Sequence, residues 1–239
     1  MTRVDAEHDH PKTALVIVAH PDDAEFLCGG TVAKWVSEGW EVHYLLTTSG
    51  DMGSKDPEMT REKLGKIREK EQRGACNALG VKELVLLRYP DGFVEDTAEM
   101  RGRIVRELRR LKPHTVITWN PFRTSFTHRD HRLTGQSAVD AVFPLSRDPL
   151  AYPEHAEEGL ESHRVMELLL AGAENPDHWI EIPEDAFKTK IAALKKHKSQ
   201  LGQAPIKELR KRLKARMEEA AKDQDGMKMA ESFRRMAWG

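Results

Sequence analysis

The stretch Ala14-Leu15-Val16-Ile17-Val18-Ala19 is followed directly by His20-Pro21-Asp22-Asp23. An unbroken apolar run rich in β-branched residues predicts a buried strand. An imidazole and two carboxylates then stand at the carboxyl end of that strand, the edge at which open α/β sheets bind ligands. The same residue types return downstream as His128-Arg129-Asp130-His131. Together the two clusters predict a metal or catalytic site at one edge of a sheet.

The composition narrows the class of protein. The chain has 239 residues, of which 39% are hydrophobic and 32% charged. This length favours a single domain over residues 1–239 with one sizeable core. The net charge of -1 does not favour nucleic acid or an anionic membrane, and no apolar run is long enough to span one. Two cysteines and the lack of a signal-peptide pattern predict a protein of the reducing cytoplasm.

Short β-type runs alternate with helical segments along the first half of the chain. Strands are predicted at residues 14–19, 42–47, 84–87 and 115–119, and helices at 24–37, 60–79 and 96–111. Repeated β-α-β units predict a mostly parallel, doubly wound α/β sheet with helices on both faces. The charged residues 205–239 predict a helical C-terminal tail. Its apolar stripe of Leu209, Leu213 and Met217 fits packing on the body or on a neighbouring subunit, which leaves a homo-oligomer open.

The residue types of the two clusters suit a hydrolytic zinc site. Such sites commonly take two imidazoles and one carboxylate and leave a position for water. His20, Asp23 and His131 supply that set. Zn²⁺ is the expected ion, although affinity order allows another divalent transition metal. A second carboxylate beside the ligands could accept a proton from water, and Asp22 is the candidate for that role.

Two further residues of the second cluster fit supporting roles. His128 lies three residues before His131, so both imidazoles can face one site if the segment is helical or tightly turned. Asp130 could hold a ligand imidazole in the required tautomer, as carboxylates beside metal-bound histidines do.

Each residue taken singly also has a structural interpretation. Asp22 and Asp23 could cap the following helix, where carboxylates interact favourably with the helix dipole. His20 could be a hydrogen-bonded core histidine, and His128 and His131 could lie at the surface beside arginines. The conjunction of both clusters at predicted strand ends favours the metal or catalytic site.

Several motifs together resemble the LmbE-like or PIG-L family of metal-dependent deacetylases. They are Ala19-His20-Pro21-Asp22-Asp23, Gly29-Gly30-Thr31, Thr48-Ser49-Gly50-Asp51-Met52-Gly53, Arg68-Glu69-Lys70-Glu71, Asp91-Gly92 and His128-Arg129-Asp130-His131. Later elements that resemble the family are Lys190 with His197, Ser199 and Gln200, and Gly226 with the run from Ala230 to Arg234. The resemblance implies a Rossmann-like fold and a zinc-dependent N-deacetylase of an N-acetylated amino sugar or its conjugate, of the N-acetylglucosamine type.

The resemblance also implies roles for individual residues. The family's metal ligands match His20, Asp23 and His131. Asp22 matches the general base, and His128 matches the residue that stabilises the oxyanion or protonates the leaving amine. Arg68 matches a position that contacts substrate in relatives. Asp91 is expected to take part in sugar recognition, although Asp-Gly is also ordinary turn chemistry.

Three positions need separate comment. Arg129 stands where the family usually has proline, which adds a cation that could reach substrate or lie in solvent. Phe126 stands where some relatives have a tyrosine that polarises the substrate carbonyl, so no hydroxyl is available there. For His197 we expect a structural role or a place at the rim of the site.

Three functions fit the sequence. The first is the sugar N-deacetylase, with a small-molecule substrate. The second is a metallo-amidase that uses the same site on a non-sugar N-acyl substrate, such as a thiol conjugate or a secondary-metabolite intermediate. The third is a non-catalytic α/β module that binds a sugar or nucleotide. Asp22 argues against this third function, because a pure binder has no use for a base beside the ligands.

Overall fold

A computed structural model describes residues 12–125, 128–202 and 205–238. The strands in these residues are Thr13–Val18 (β1), Glu41–Thr48 (β2), Glu83–Tyr89 (β3), Thr115–Trp119 (β4), Glu167–Ala171 (β5), His178–Glu181 (β6) and Ala230–Ala237 (β7). The α-helices are Asp23–Ser37 (α1), Arg61–Leu79 (α2), Ala98–Leu111 (α3), Arg129–Asp140 (α4), Glu184–Leu194 (α5), Lys198–Leu201 (α6) and Ile206–Ala221 (α7). A π-helical turn, Ala141–Leu145, and a 3₁₀-helix, Pro153–Glu158, lie between α4 and β5.

Across the described part of the chain, seven strands form one sheet in the order β3-β2-β1-β4-β5-β7-β6. β1 pairs in parallel with β2 and β4, and β3 and β5 continue the parallel part on either side. β7 runs antiparallel to both β5 and β6. The predicted mostly parallel α/β sheet is therefore confirmed. Its strand order reverses between β1 and β4, which creates a crevice at their carboxyl ends.

Helices cover both faces of the sheet, and β1 shows the consequence. Ala14, Val16 and Val18 pack into one core with side chains of α1, α2 and α5. Leu15 and Ile17 pack into a second core with side chains of α3 and α4. Because both faces of this strand are buried, its sequence is continuously apolar rather than alternating.

The ends of the helices follow the local sequence. The side chain of Thr60 accepts a hydrogen bond from the N–H of Lys63 at the start of α2. That helix ends at Gly80, whose φ of 78° is left-handed, a conformation that glycine adopts without strain. The predicted strands and helices of the first half of the chain are confirmed to within two residues at each end.

The predicted helical tail at 205–239 is wrong in its second half. α7 ends at Ala221, and the chain returns as β7, which enters the sheet between β5 and β6. Phe233 is fully buried, and the backbone of the strand pairs with β6 in its first half and with β5 in its second. The charge of this segment misleads because its arginines find acidic partners on neighbouring elements. Nε of Arg235, for example, lies 2.5 Å from Oε1 of Glu167.

The apolar stripe of α7 packs on the chain itself. Leu209, Leu213 and Met217 are all buried and belong to the core shared by α1, α2 and α5. The stripe is therefore explained by contacts within the chain. No helix in the described ranges combines the length and apolar character needed to cross a membrane.

Candidate active site

The two predicted clusters meet at the crevice between the carboxyl ends of β1 and β4. His20 and Asp23 follow β1, and His131 lies in the first turn of α4. Nδ1 of His20 is 3.0 Å from Nε2 of His131. The Asp23 carboxylate lies 3.5 Å from the first of these nitrogens and 3.2 Å from the second. Tertiary folding thus brings together the three residues that were predicted to bind metal.

This donor set fits a divalent transition metal. Tetrahedral ligands at about 2.0–2.2 Å from an ion lie roughly 3.3–3.6 Å from one another. The separations of 3.0–3.5 Å between these three side chains match that size. Two imidazole nitrogens that face each other also need something positive between them, either a shared proton or an ion. The ring nitrogens of His20, His128 and His131 lie within 4.8 Å of one another, so a third imidazole borders the same space.

Two carboxylates hold the far side of the His20 ring. Nε2 of His20 is 3.0 Å from Oδ2 of Asp130 and 3.1 Å from Oδ1 of Asp91. Asp130 is fully buried and accepts further hydrogen bonds from the backbone N–H groups of Gly92 and Val94. A proton on Nε2 leaves Nδ1 bare toward the cluster, which is the tautomer a metal requires. Asp130 therefore lies where its predicted role needs it.

The surroundings of His20 favour a positive charge. Burial opposes protonation, but hydrogen bonds with Asp130, Asp23 and Asp91 outweigh it and raise the pKa of His20 to about 11. Burial likewise opposes ionisation of Asp23, yet His131 and His20 hold the pKa of its carboxyl well below the usual range. A site that attracts a proton this strongly is suited to a cation.

Both aspartates lie at the start of α1, but neither makes a side-chain capping hydrogen bond in the described structure. Asp22 is the N-cap residue of α1, but its side chain accepts no capping hydrogen bond within the described structure. Oδ2 of Asp23 accepts instead from the backbone N–H groups of His20 at 2.9 Å and Ala19 at 3.2 Å, both of which precede the helix. The indole N–H of Trp119 donates to the same oxygen at 3.2 Å. These bonds hold the Asp23 carboxylate at the crevice.

Asp22 has the environment of a general base. Its side chain is 17% exposed, and Oδ2 lies 3.6 Å from Nη2 of Arg68. Burial and the charge of Asp23 raise the pKa of Asp22 to about 7, although Arg68 opposes this rise. A carboxylate that titrates near neutrality beside a candidate metal site can accept a proton at physiological pH.

His128 lies exposed at the mouth of the crevice, and its ring stacks on that of His131 with centroids 4.2 Å apart. Partial desolvation, followed by the neighbouring imidazoles of His131 and His20, lowers the pKa of His128 below its usual value. In the resting protein this histidine is therefore neutral at pH 7. Its role at the oxyanion or at the leaving amine stays a prediction.

The two residues predicted to contact substrate already make contacts within the protein. Arg68 is buried, and its guanidinium donates to the carbonyl of Pro21 at 2.7 Å and to that of Gly50 at 3.0 Å. Asp91 accepts from the N–H of Met52 at 3.2 Å in addition to its contact with the imidazole described above. Both border the cavity of about 420 Å³ at the cluster, so substrate contact stays a prediction for each.

Sequence analysis missed Trp119, the last residue of β4. Its indole stacks on the ring of His131 with centroids 4.2 Å apart, in addition to its hydrogen bond to Asp23. Its place at a strand end beside the second cluster is the signal that could have found it. Arg129 makes its contact outside the cluster of metal ligands, since its Nε donates to the carbonyl of Val94 at 3.0 Å. Phe126 lies outside the described residues.

Two residues of the later family elements, Lys190 and His197, form buried pairs, whereas Gln200 borders the cavity at the cluster. Lys190 Nζ is 2.6 Å from Oε1 of Glu231, which also accepts the N–H of Gly30. His197 is fully buried, with Nε2 at 3.1 Å from Oε2 of Glu25. For His197 the structural alternative therefore fits and a place at the rim does not.

Comparison with known proteins places the chain among deacetylases. Residues 15–142 match the PIG-L family, described as GlcNAc-PI de-N-acetylase. A diacetylchitobiose deacetylase of Thermococcus kodakarensis is 31% identical over 189 residues, which cover 79% of this chain and 70% of that protein. A probable N-acetyl-alpha-D-glucosaminyl L-malate deacetylase 2 of Bacillus cereus is 30% identical over 191 residues, covering 78% and 82%.

The fold agrees with these sequence relatives. The solved structure of an N,N'-diacetylchitobiose deacetylase from Pyrococcus horikoshii superposes with a TM-score of 0.87 and 29% identity, covering 95% of this chain and 84% of that one. The resemblance seen in the motifs is thus confirmed over most of the chain. The chain belongs to the PIG-L family and is an amide-hydrolysing N-deacetylase.

Proposed function

We propose that this protein removes the acetyl group from an N-acetylated amino sugar or sugar conjugate of the N-acetylglucosamine type, with a divalent ion bound by His20, Asp23 and His131. The observation that carries the proposal is the convergence of these side chains, 3.0–3.5 Å apart, beside a carboxylate at Asp22 whose pKa is about 7. We propose Zn²⁺ as the native ion, because two imidazoles and one carboxylate are a common ligand set of hydrolytic zinc.

The chemistry of an amide defines what the residues must do. An amide carbonyl is a weak electrophile, and its nitrogen leaves only as a neutral amine. When bound, the divalent ion would act as a Lewis acid and lower the pKa of water from 15.7 to about 7. Asp22 accepts the proton from the attacking water and then returns that proton to the departing nitrogen.

His128 supports the same reaction from the mouth of the crevice. In its neutral form a ring N–H can donate a hydrogen bond to the oxygen that becomes negative as water adds. If it gains a proton during turnover, it can instead protonate the leaving amine. Trp119 packs on the ring of His131, and Asp130 holds that of His20, so both imidazoles of the ligand set are fixed before substrate binds.

The substrate class rests on the relatives and on the cavity. The relatives described above are named for acetylated glucosamine compounds, and Arg68 and Asp91 place polar groups on the wall of this cavity. We propose that these two residues orient sugar hydroxyls in addition to holding the loops. The net charge of -1 supports a small molecule rather than nucleic acid as partner. We propose a cytoplasmic location, because Cys28 and Cys76 are both buried free thiols.

A second candidate is a metallo-amidase with a non-sugar N-acyl substrate. The roles proposed for Asp22, His128 and the metal ligands require an amide but not a sugar. The cavity wall also includes Met52, an apolar side chain that is 42% exposed. An apolar or thioether group beside the amide would find a partner there. The third candidate, a non-catalytic binding module, is set aside because the chain belongs to an enzyme family.

Released acetate tests the proposal. The metal-loaded protein should be incubated with N-acetylglucosamine, N,N'-diacetylchitobiose, N-acetylglucosaminyl malate and inositol conjugates, and an N-acetylcysteine thioether. We expect acetate from at least one amino sugar, none after chelation, and release that is about 10²- to 10⁴-fold slower from Asp22→Asn. Acetate from the thioether alone would favour the second candidate. No acetate from any compound would contradict both.

A further inference from the structure

One peptide group beside the candidate base is held at both of its polar ends by side chains of α2. In the peptide that joins Pro21 to Asp22, the carbonyl oxygen accepts from Nη2 of Arg68 at 2.7 Å. The N–H of the same peptide donates to Oε1 of Gln72 at 3.0 Å. Arg68 and Gln72 are four residues apart, so both project from one face of the helix. Both side chains are buried.

This peptide precedes a residue in a strained conformation. Asp22 has a φ of 94°, in the left-handed region that residues other than glycine rarely adopt. Such a conformation persists where surrounding contacts hold it in place. Rotation of the Pro21–Asp22 peptide would change this φ and swing the carboxylate. Two hydrogen bonds on the peptide therefore fix the direction of the Asp22 side chain.

The side-chain amide of Gln72 is itself oriented by Glu25. Its Nε2 donates to Oε1 of Glu25 at 2.9 Å, which leaves its Oε1 as the atom that accepts from Asp22. The second Glu25 oxygen lies 3.1 Å from Nε2 of His197. Gln72, Glu25 and His197 have no exposed surface. A buried chain of hydrogen bonds thus runs from His197 to the backbone of Asp22.

The contact differs from the usual start of a helix. In a capping box the third helical residue, here Glu25, would accept the N–H of the N-cap residue, here Asp22. Gln72 stands between the two instead. The neutral amide makes the contact, and the charge of Glu25 is kept one side chain further from the Asp22 carboxylate.

We propose that Gln72 is a positioning residue for Asp22: together with Arg68 it clamps the Pro21–Asp22 peptide and aims the Asp22 carboxylate into the cavity, while Glu25 and His197 orient Gln72. The inference rests on the proposed function, which makes Asp22 the base. Gln72 is not among the described residues that border the cavity, so its effect passes through Asp22.

Gln72→Met tests the clamp, because it keeps the length of the side chain and removes the hydrogen bonds of the amide to Asp22, Glu25 and Cys76. We expect kcat to fall on the order of 10- to 100-fold, while KM and metal content stay near native. The matched control is Gln136→Met on α4, whose amide donates to Asp140 of its own helix. That variant should keep the native kcat.

An exchange of the two side chains provides the rescue. Gln72→Glu keeps an acceptor for Asp22 but sets a carboxylate against Glu25, so it should also lower kcat. Adding Glu25→Gln restores three hydrogen bonds. The carboxylate introduced at position 72 accepts from the N–H of Asp22 and from the new amide at position 25. The oxygen of that amide accepts from His197. The double variant should recover part of the lost kcat, because the hydrogen bonds return while the negative charge lies one side chain closer to Asp22. A double variant as slow as Gln72→Glu would overturn the clamp.

A double-mutant cycle separates an effect of Gln72 on the direction of the Asp22 carboxylate from an effect on stability. In an Asp22→Asn background Gln72→Met should cause little further loss of kcat, because no base is left to aim. An equal loss in both backgrounds would show that Gln72 acts on stability alone and would overturn the proposal.

Hydrogen exchange of the Asp22 amide decides the clamp without any substrate. If no acetate is released from the panel, or if Asp22→Asn keeps the native kcat, the proposed function fails, and this amide still reports on Gln72. Its exchange should be faster in Gln72→Met than in the native protein and unchanged in Gln136→Met. Native protection in Gln72→Met would overturn the clamp.

Discussion

Oδ2 of Asp130 lies 3.0 Å from Nε2 of His20, across 110 residues of sequence. The contact is on the opposite side of the ring from Nδ1, the nitrogen that faces His131. A histidine that donates one N–H to a carboxylate presents its other nitrogen as a better metal ligand. We therefore expect metal affinity to depend on a residue that is not itself proposed as a ligand.

Asp130→Asn should weaken metal binding by about 10- to 100-fold, because the amide keeps the shape of the side chain but not its charge. Competition with a chelating dye measures the affinity. Asp140→Asn is the control, since it removes a carboxylate from the same helix whose hydrogen bond is to Gln136. Equal affinities for the Asp130 and Asp140 variants would refute the role given to Asp130.

Elemental analysis should find about one divalent ion per chain, as a site with three protein ligands implies. The double variant His20→Ala/His131→Ala should lose that ion, because it leaves Asp23 as the one remaining proposed ligand. A His178→Ala variant on the edge strand β6 should keep it. Stoichiometric binding by the double variant would remove these histidines from the ligand set.

Asp22→Asn should retain metal and lose about 10²- to 10⁴-fold in kcat, the usual cost of a missing general base. Because the base acts when ionised, native activity should fall as the pH drops through the pKa of Asp22. That pKa is about 7 in the metal-free protein, and a bound cation lowers it, so the acidic limb of the loaded enzyme should lie below pH 7. Metal loss in Asp22→Asn with retention in Asp23→Asn would exchange the two roles.

The same residue should shape the stability of the metal-free protein. The folded pKa of about 7 exceeds the ordinary aspartate pKa of 3.8, so folding favours the protonated carboxyl. The contribution of this carboxyl to the free energy of unfolding is present at acid pH and is lost as the pH rises from about 4 to about 7. In excess chelator, Asp22→Asn should therefore have a higher Tm than the native protein above pH 7 and a smaller difference near pH 4. Equal Tm values at both pH values would contradict the raised pKa.

His128→Ala should lower kcat by roughly 10²-fold with little change in metal content, as expected for one lost oxyanion donor or acid. If His128 is the acid, kcat of the native enzyme falls as the pH rises through its pKa, and both His128→Ala and His128→Gln lose this basic limb. If it donates as a neutral group, His128→Gln keeps more activity than His128→Ala. A near-native kcat in His128→Ala would make this residue a surface histidine.

Lys190→Met should destabilise the fold by about 3–5 kcal/mol, because it leaves the carboxylate of Glu231 buried without its cation. The two side chains are 2% and 4% exposed. Lys188→Met is the control on the same helix, since its ion pair with Asp185 is exposed and should contribute at most about 1 kcal/mol. Urea unfolding measures both. A loss below about 1 kcal/mol for Lys190→Met would mean that Glu231 finds another partner or takes up a proton.

Local sequence was sufficient for the elements that carry the site. β4 was predicted to the residue because all five of its residues are β-branched or aromatic. α2 was bounded correctly because Thr60 and Gly80 act on their own backbone. The two polar clusters were recognised for a related reason. Parallel strands bring their carboxyl ends to one edge of a sheet, so the motifs after β1 and β4 had to be neighbours.

Long-range packing decided the rest. β7 was missed because a charged strand becomes stable only when β5 and β6 pair with its backbone and acidic neighbours meet its arginines. The contacts of Gln72 with Asp22 and with Glu25 join residues that are 50 and 47 positions apart. No periodicity or cap encodes such a contact, because it depends on how two helices cross. Residue types thus identified the chemistry, and the packing of α1 against α2 set the direction of the candidate base.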